Sequence, residues 1–308
     1  MKPIRQILIL GYGILLVAML VATAIMFPWS VDPQGDESLQ AASREFYDRA
    51  YSSDPQSGKD DAYKESAERA TLVTRTPQIA AEFVNRYGLK NKKILEVGAG
   101  SGLLQDIVDD YTALEISKSA RRFFHKPFVE ASATQMPFPD NTFDALWTFR
   151  VLEHIPNPER ALLEMRRVVK PGGYILLHFA NDVDFYAAQG YRERPYSDFD
   201  TWGRMIKATI PVTDSNAFLN LYARQVRLLR SLGSRLGGGP SRLHFIKLNA
   251  NYNQYWTADS DAPISLSYHE LRLWFTSRGD DCEHCSNEWD LIFKIPMIEP
   301  YMFIRVNK

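Results

Sequence analysis

Cysteine is almost missing from this chain: 308 residues contain two, Cys282 and Cys285. That excludes a disulfide framework. The phrase Cys282-Glu283-His284-Cys285 supplies one ligand pair, whereas a structural zinc normally takes four ligands, usually from two such pairs. With the other histidines scattered, the phrase reads as a turn between a helix and a strand, and no metal is expected. A surplus of either charge is missing too. Lys and Arg total 36 against 37 Asp and Glu, a formal net charge of −1. No nucleic-acid partner is expected, because neutralising phosphates needs a basic excess. Acid is missing locally as well. Between Asn216 and Ala258 there is no Asp or Glu, yet Arg224, Arg227, Arg230, Arg235, Arg242 and Lys247 all occur. Leu219, Tyr222, Val226, Leu229 and Leu232 recur there at helical spacing. The plain expectation is a helix with a solvated basic face. Two sharper ones are a basic amphipathic helix on an anionic membrane and a grip on a phosphorylated substrate.

What is present begins with a long apolar run. Hydrophobic residues make up 45% and charged residues 24%, a composition for a packed core rather than disorder. Ile7 to Phe27 carries no charge, and roughly 20 such residues let a helix cross a hydrocarbon core. A cleaved signal peptide competes, since Ala22-Thr23-Ala24 has the small-x-small pattern of a cleavage site. The apolar run nevertheless continues through Ile25, Met26, Phe27 and Trp29, where a signal peptide would have ended. Residues 1–30 are therefore expected to be an uncleaved single-pass transmembrane anchor. Lys2 and Arg5 precede the span, and Asp32, Asp36 and Glu37 follow it. The positive-inside rule then puts the rest of the chain on the far side.

Residues 31–75 read as a linker with leading helices, including a helical stretch around Leu39–Tyr51. A helix from about Pro77 to Tyr87 gathers Ile79, Ala80, Phe83 and Val84 on one face. The pattern then predicts strand 93–97, a glycine loop, helix 103–109, strand 112–115, a helix near 118–124 and a short strand near 128–131. Strand 143–149, helix 158–169, a Pro171-Gly172-Gly173 turn and strand 174–179 follow. Strands alternating with helices indicate an α/β fold with a parallel sheet covered on both faces. The interval 182–267 breaks the rhythm and is expected to be an inserted, mostly helical cap. Helix 268–279 resumes it, and strands 290–295 and 301–306 are expected to close the chain as an antiparallel pair.

The loop Gly98-Ala99-Gly100-Ser101-Gly102 follows one strand, and Glu115 ends the next. Glycines let the backbone turn sharply and let a ligand approach, and a carboxylate at that place can accept both hydroxyls of a ribose. The spacing is G-x-G-x-G, with Leu103 where the dinucleotide pattern needs its third glycine. An NAD-dependent oxidoreductase is disfavoured on that ground.

With ILEVGAGSG, Glu115 and the run MPFPDNTFDALWTFRVLEHIPNPERALLEMRRVVKPGGYILL, the chain resembles the class I S-adenosylmethionine (SAM)-dependent methyltransferases. The nearest likeness is the small-molecule type that includes quinone-biosynthesis methyltransferases. It is continuous over residues 76–181 and holds by pattern over 266–308, which implies a Rossmann-like methyltransferase domain over 76–308. Glu96 and loop residues Gly98, Ala99, Gly100 and Gly102 would hold the amino-acid end of SAM. Glu115 would take the ribose, with Ile116 against the adenine and Ser132 and Ala133 beside the adenine edge. Phe149, Arg150 and Val151 would face the sulfonium region. The family usually has Asp where Ser132 stands; a serine oxygen is the weaker acceptor, by about 1 kcal/mol.

The reaction so implied is displacement of a methyl group onto a small acceptor, the protein contributing positioning and exclusion of water. A hydroxyl or acidic-carbon acceptor also needs a general base. His154, after the fourth strand, and His178, near the end of the fifth, are the candidates, although His154 equally suits orienting its loop. The tether points to a lipophilic or lipid-linked acceptor at a membrane. Cytosolic SAM favours the cytosolic face, against the charge asymmetry. Tyr255-Trp256 with Asp259 and Asp261 suits a substrate pocket. The competing function is a membrane-anchored, non-catalytic binding or scaffold protein on a degenerate methyltransferase fold, for which Ser132 is the main support.

Overall fold

The structure, a computed structural model, describes residues 3–4, 6–14, 17, 37–52, 62–178, 196, 199, 201, 204–205, 207–208, 217–247, 250–252, 261–285, 287–293 and 301–308. Its centre is a seven-stranded sheet. The strands are β1 (Lys93–Val97), β2 (Asp110–Glu115), β3 (Phe128–Glu130), β4 (Phe143–Phe149), β5 (Val169–His178), β8 (Asp281–His284) and β9 (Tyr301–Arg305). Their order is β3-β2-β1-β4-β5-β9-β8. The first five run parallel, and β9 lies antiparallel to both β5 and β8. Successive residues of a strand point to opposite faces, and here both faces are apolar. Leu95, Leu146, Ile175, Leu177, Met302 and Ile304 pack on one side; Ile94, Ala145, Trp147, Leu176 and Phe303 pack on the other. That double burial is why these strands read as near-continuous hydrophobic runs.

On the first face lie α4 (Pro158–Val168), through Ala161, Leu162 and Met165, and α6 (Tyr268–Thr276), through Leu271, Trp274 and Phe275. Each starts on a side-chain cap: Asn157 accepts from the Arg160 N–H, and Ser267 from the Glu270 N–H. The second face is covered by α3 (Thr76–Tyr87), through Ile79, Ala80, Phe83 and Val84, as its periodicity predicts. Two further helices join it, α1 (Glu37–Ala50) with Phe46 fully buried, and α2 (Ala62–Val73), whose Tyr63 belongs to the same cluster. The leading helices expected within this part of the chain are thus packed into the core.

Four expectations need correction. The helix predicted over 103–109 is absent; those residues form turns. Only 12 residues, 98–109, separate β1 from β2. A seven-residue helix rises about 10 Å, too little to return along a five-residue strand of roughly 17 Å. Gln105 instead ties the segment down, donating to the Phe123 carbonyl and accepting the His125 N–H. The second correction concerns the strand predicted at 290–295: residues Glu288–Phe293 form helix α7, and the strand beside β9 is β8. The antiparallel ending holds with a different partner. Third, the Cys-Glu-His-Cys phrase is no helix-to-strand turn. Its first three residues belong to β8, and Cys282 is disulfide-bonded to Cys285.

The fourth lies in the interval 182–267, whose described elements are α5 (Ala217–Leu236) and the short antiparallel pair β6 (Ile246–Lys247) and β7 (Ile264–Ser265). At the C-terminal end of α5, where side chains are described, the expected face is inverted. Arg227 and Ser231 are buried, and Arg230 makes a two-pronged contact with Glu270 at 2.9 and 2.7 Å. Leu229, Leu232 and Leu236 are exposed. Residues from the rest of the fold, not the apolar spacing, decide which face turns in: Glu270 and His269 of α6 pair with Arg230 and Ser231.

The transmembrane span expected over Ile7–Phe27 lies mostly outside the described residues. Residues 6–14 are helical, with Ile7, Leu8, Ile9, Leu10, Tyr12 and Ile14 all exposed. Among the described residues no helix is long and apolar enough to cross a membrane.

Candidate functional site

Strand order reverses between β1 and β4, and in open α/β sheets that switch point opens a crevice at the strands' carboxyl ends. A cavity of about 710 Å³ lies there. It brings together Glu96, Gly98, Ala99, Gly100, Glu115, Ile116, Ser132, Ala133, Phe149, Arg150, Val151, His154 and His178, nearly every residue singled out from sequence. Tyr255, Trp256 and Asp259 lie outside the described residues, and of the loop residues Gly102 is the exception. It sits behind the loop, where a Cβ would strike the Phe124 ring at 2.8 Å.

The loop needs its glycines. Gly98 and Gly100 have φ of 70° and 54°, a region that costs residues with a Cβ. A Cβ on Gly98 would stand 2.4 Å from Val151 Cγ2, and one on Gly100 2.9 Å from the Tyr51 hydroxyl. Glu115 closes the bend. Its Oε2 accepts the Gly100 N–H at 2.9 Å; its Oε1 accepts those of Ile116 at 2.9 Å and Ser117 at 3.2 Å. Burial pushes this carboxyl up, and the three backbone donors oppose that. The glycine bend and the carboxylate grip one another.

Glu96, at the mouth of β1, accepts a hydrogen bond from the Tyr111 hydroxyl. Burial is the largest influence and pushes it up to about 8, with Tyr111 and Trp147 pulling the other way. In an unfolded chain a glutamate titrates near ~4.3. Between these values the folded state holds a proton the unfolded state has lost, so stability falls as pH rises through that window. Glu96→Gln, neutral throughout, is expected to melt close to wild type near pH 5 and on the order of 5 °C higher near pH 9. Thermal unfolding at both pH values checks this; an identical offset at each would contradict the raised Glu96.

Helices α1 and α2, expected from sequence only as leading helices, build the cavity's other wall. Tyr47, Tyr51 and Tyr63 line it, with Tyr51 and Tyr63 in an edge contact at 5.5 Å. These helices also hold the rim by polar contacts. Gln40 donates to the Ser132 and Thr134 hydroxyls. The Ser117 hydroxyl donates to Asp48 at 2.8 Å, and Ser101 to Glu68 at 3.0 Å. Arg150, itself at φ 54°, donates to Thr71 at 2.6 Å. Ser132 therefore lies at the rim with its hydroxyl already engaged by a neighbouring helix. The four-residue recurrence of Ser43, Tyr47 and Tyr51, along α1 and the turn that follows it, was the signal available for this wall.

The two histidines differ. His178 is buried on the cavity wall, and burial, with the Arg150 charge second, pulls it down to about 4. Such an imidazole stays neutral but is a weak base. His154, in a short 3-10 turn after β4, has its Nδ1 3.1 Å from Asp261 Oδ2. Asp261 is 1% exposed and also accepts from the Tyr47 hydroxyl at 2.6 Å. Burial alone would raise Asp261, but the His154 contact and the Tyr47 hydrogen bond outweigh it and hold it at about 2.

Comparison with known proteins agrees with this geometry. Residues 95–177 match the family model described as a methyltransferase domain. An uncharacterized methyltransferase of Schizosaccharomyces pombe is 32% identical over 127 residues, 34% of this chain and 46% of its own length. A sterol 24-C-methyltransferase of Gibberella zeae is 29% identical over 68% of this chain and 55% of its own. A ubiquinone/menaquinone biosynthesis C-methyltransferase of Rickettsia akari is 30% identical over 41% of this chain and 59% of its own. The chain thus spans about half the length of the curated relatives it matches.

Proposed function

We propose that this chain, which carries a class I SAM-dependent methyltransferase domain over residues 95–177, methylates a small lipophilic or lipid-linked acceptor at a membrane. One observation carries the reading: the Gly98–Gly100 bend and Glu115 meet on one open cavity, and positive φ together with Val151 and Tyr51 packed against the bend leaves room there for glycine alone. These residues fit SAM. Glu96, Gly98, Ala99 and Gly100 would hold its amino-acid end, and Glu115 its ribose. A carboxylate has about four acceptor sites; three of Glu115's are used by backbone, so a ribose diol must share Oε2 with Gly100 or displace it. Ile116, Ala133 and the Ser132 rim would border the adenine, and Phe149 and Arg150 the reacting end. When bound, SAM supplies an electrophilic methyl group on a good leaving group, and the chain's part is positioning and exclusion of water.

The acceptor class is supported by the aromatic wall of Tyr47, Tyr51 and Tyr63 and by the relatives that act on sterols and quinones. Membrane placement is supported by the uncharged run Ile7–Phe27, by the helix at 6–14 with apolar side chains exposed all round, and by the leucines exposed on α5. We place a single-pass anchor at the N-terminus and the domain on the cytosolic face, where SAM is made. Calorimetry with SAM on the full chain in nanodiscs, then labelled SAM with a membrane-lipid extract, tests this. Binding and a newly methylated lipid-soluble product are expected. No binding at millimolar SAM would favour a non-catalytic scaffold instead.

A further inference from the structure

We infer that Tyr47, Asp261 and His154 form a proton-accepting relay and that the group methylated in this cavity is a hydroxyl. This rests on the methyl-transfer reading above. The three side chains come from α1, from the approach to β7 and from the turn after β4, and the fold draws them onto one carboxylate oxygen. Asp261 Oδ2 lies 3.1 Å from His154 Nδ1 and 2.6 Å from the Tyr47 hydroxyl. The Tyr47 and His154 rings stand edge to face at 6.2 Å. Both rings line the cavity, while Asp261 behind them is 1% exposed.

Burying a carboxylate is costly unless it is paired and hydrogen-bonded. Here both partners are cavity residues, so the carboxylate's effect is delivered to the site. An acidic partner on Nδ1 fixes the imidazole's tautomer and orientation and stabilises its protonated form. Proton uptake from an acceptor then falls to Nε2. An amine in its neutral form or a thiolate attacks an electrophilic methyl without such help; a hydroxyl or an acidic carbon needs a base, and of the two the hydroxyl, itself a hydrogen-bond donor, is the group that can be held on Nε2 and hand its proton over directly. Among the described residues no carboxylate backs His178, which shares the cavity wall and is held near 4 by burial and Arg150, and this leaves His154 as the base. As the acceptor oxygen bonds to the methyl carbon, its O–H bond breaks and the electron pair stays on oxygen. The proton passes to Nε2, and the methyl–sulfur pair remains on sulfur. The products are a methyl ether, S-adenosylhomocysteine and a proton that His154 returns to water. His154 is the catalytic residue; Asp261 and Tyr47 are positioning residues.

The test uses the full chain in nanodiscs with histidine labelled by nitrogen-15. A hydrogen-bonded Nδ1–H resonance is expected in wild type, shifted or lost in Asp261→Asn and displaced less in Tyr47→Phe. SAM affinity by calorimetry should stay within about threefold in Asp261→Asn and His154→Gln. Transfer from carbon-13-methyl SAM to a membrane-lipid extract should slow by about 100-fold or more in both, and the wild-type product should show a methoxy carbon. A methyl on nitrogen or carbon, or His154→Gln keeping a third of the wild-type rate, overturns the acceptor assignment. An Nδ1–H signal indifferent to Asp261 overturns the relay. If wild type binds no SAM, the methyl-transfer reading fails and takes the acceptor class with it, while the resonance still decides the relay.

Discussion

Glu115→Ala is expected to weaken SAM binding by about 100-fold or more, the largest loss available from one side chain of the cavity. A hydrogen bond to a charged group contributes about 1.5–3 kcal/mol, and two ribose hydroxyls would lose theirs together; each 1.4 kcal/mol is roughly tenfold. The bend suffers as well, because the N–H groups of Gly100, Ile116 and Ser117 all converge on this carboxylate. Glu115→Gln keeps one acceptor oxygen but turns an amide toward a backbone donor, so an intermediate loss of about tenfold is expected. Calorimetry with SAM on both variants measures this. An alanine variant that binds within threefold of wild type would remove Glu115 from the site.

Arg166→Ala is expected to cost more stability than other single changes on the surface of α4, about 3–5 kcal/mol. Arg166 lies on α4, and Asp280 follows α6. The guanidinium meets the carboxylate at 2.7 and 3.0 Å, and its Nη2 also donates to the Asn307 carbonyl at 2.8 Å. The Asp280 side chain is fully buried and accepts the Asn307 N–H at 2.9 Å. Removing the arginine strands a negative charge out of water and unfastens the C-terminal residues beside β9. A melting temperature lower by on the order of 10 °C is expected. Arg166→Ala with Asp280→Ala should recover part of that, since the stranded charge goes too. A loss under about 1 kcal/mol for Arg166→Ala would show the pair to be solvent-screened after all.

Most of the sheet was legible in the residues. KILEV, FDALWTF and YILLH are apolar on both faces, and only a strand buried on both sides accommodates that pattern. The glycine loop and Glu115 were legible because a positive φ and a buried acceptor restrict residue type so sharply. The helix at 103–109 misled because its local pattern was suitable while the connection was too short to contain it. The last strand misled because DLIFKI and DCEH are both short, and register with β9 chose between them.

Chain order and residue type determined by themselves that a parallel α/β sheet would form, with a nucleoside-sized crevice at the ends of β1 and β4, since backbone conformation and burial are local demands. Only the tertiary structure decided what closes that crevice and which histidine has a carboxylate behind it. Tyr47, His154 and Asp261 lie up to 214 positions apart in sequence. No local periodicity can encode such a meeting; it arises where separately folded elements pack and each buried charge must find its partner.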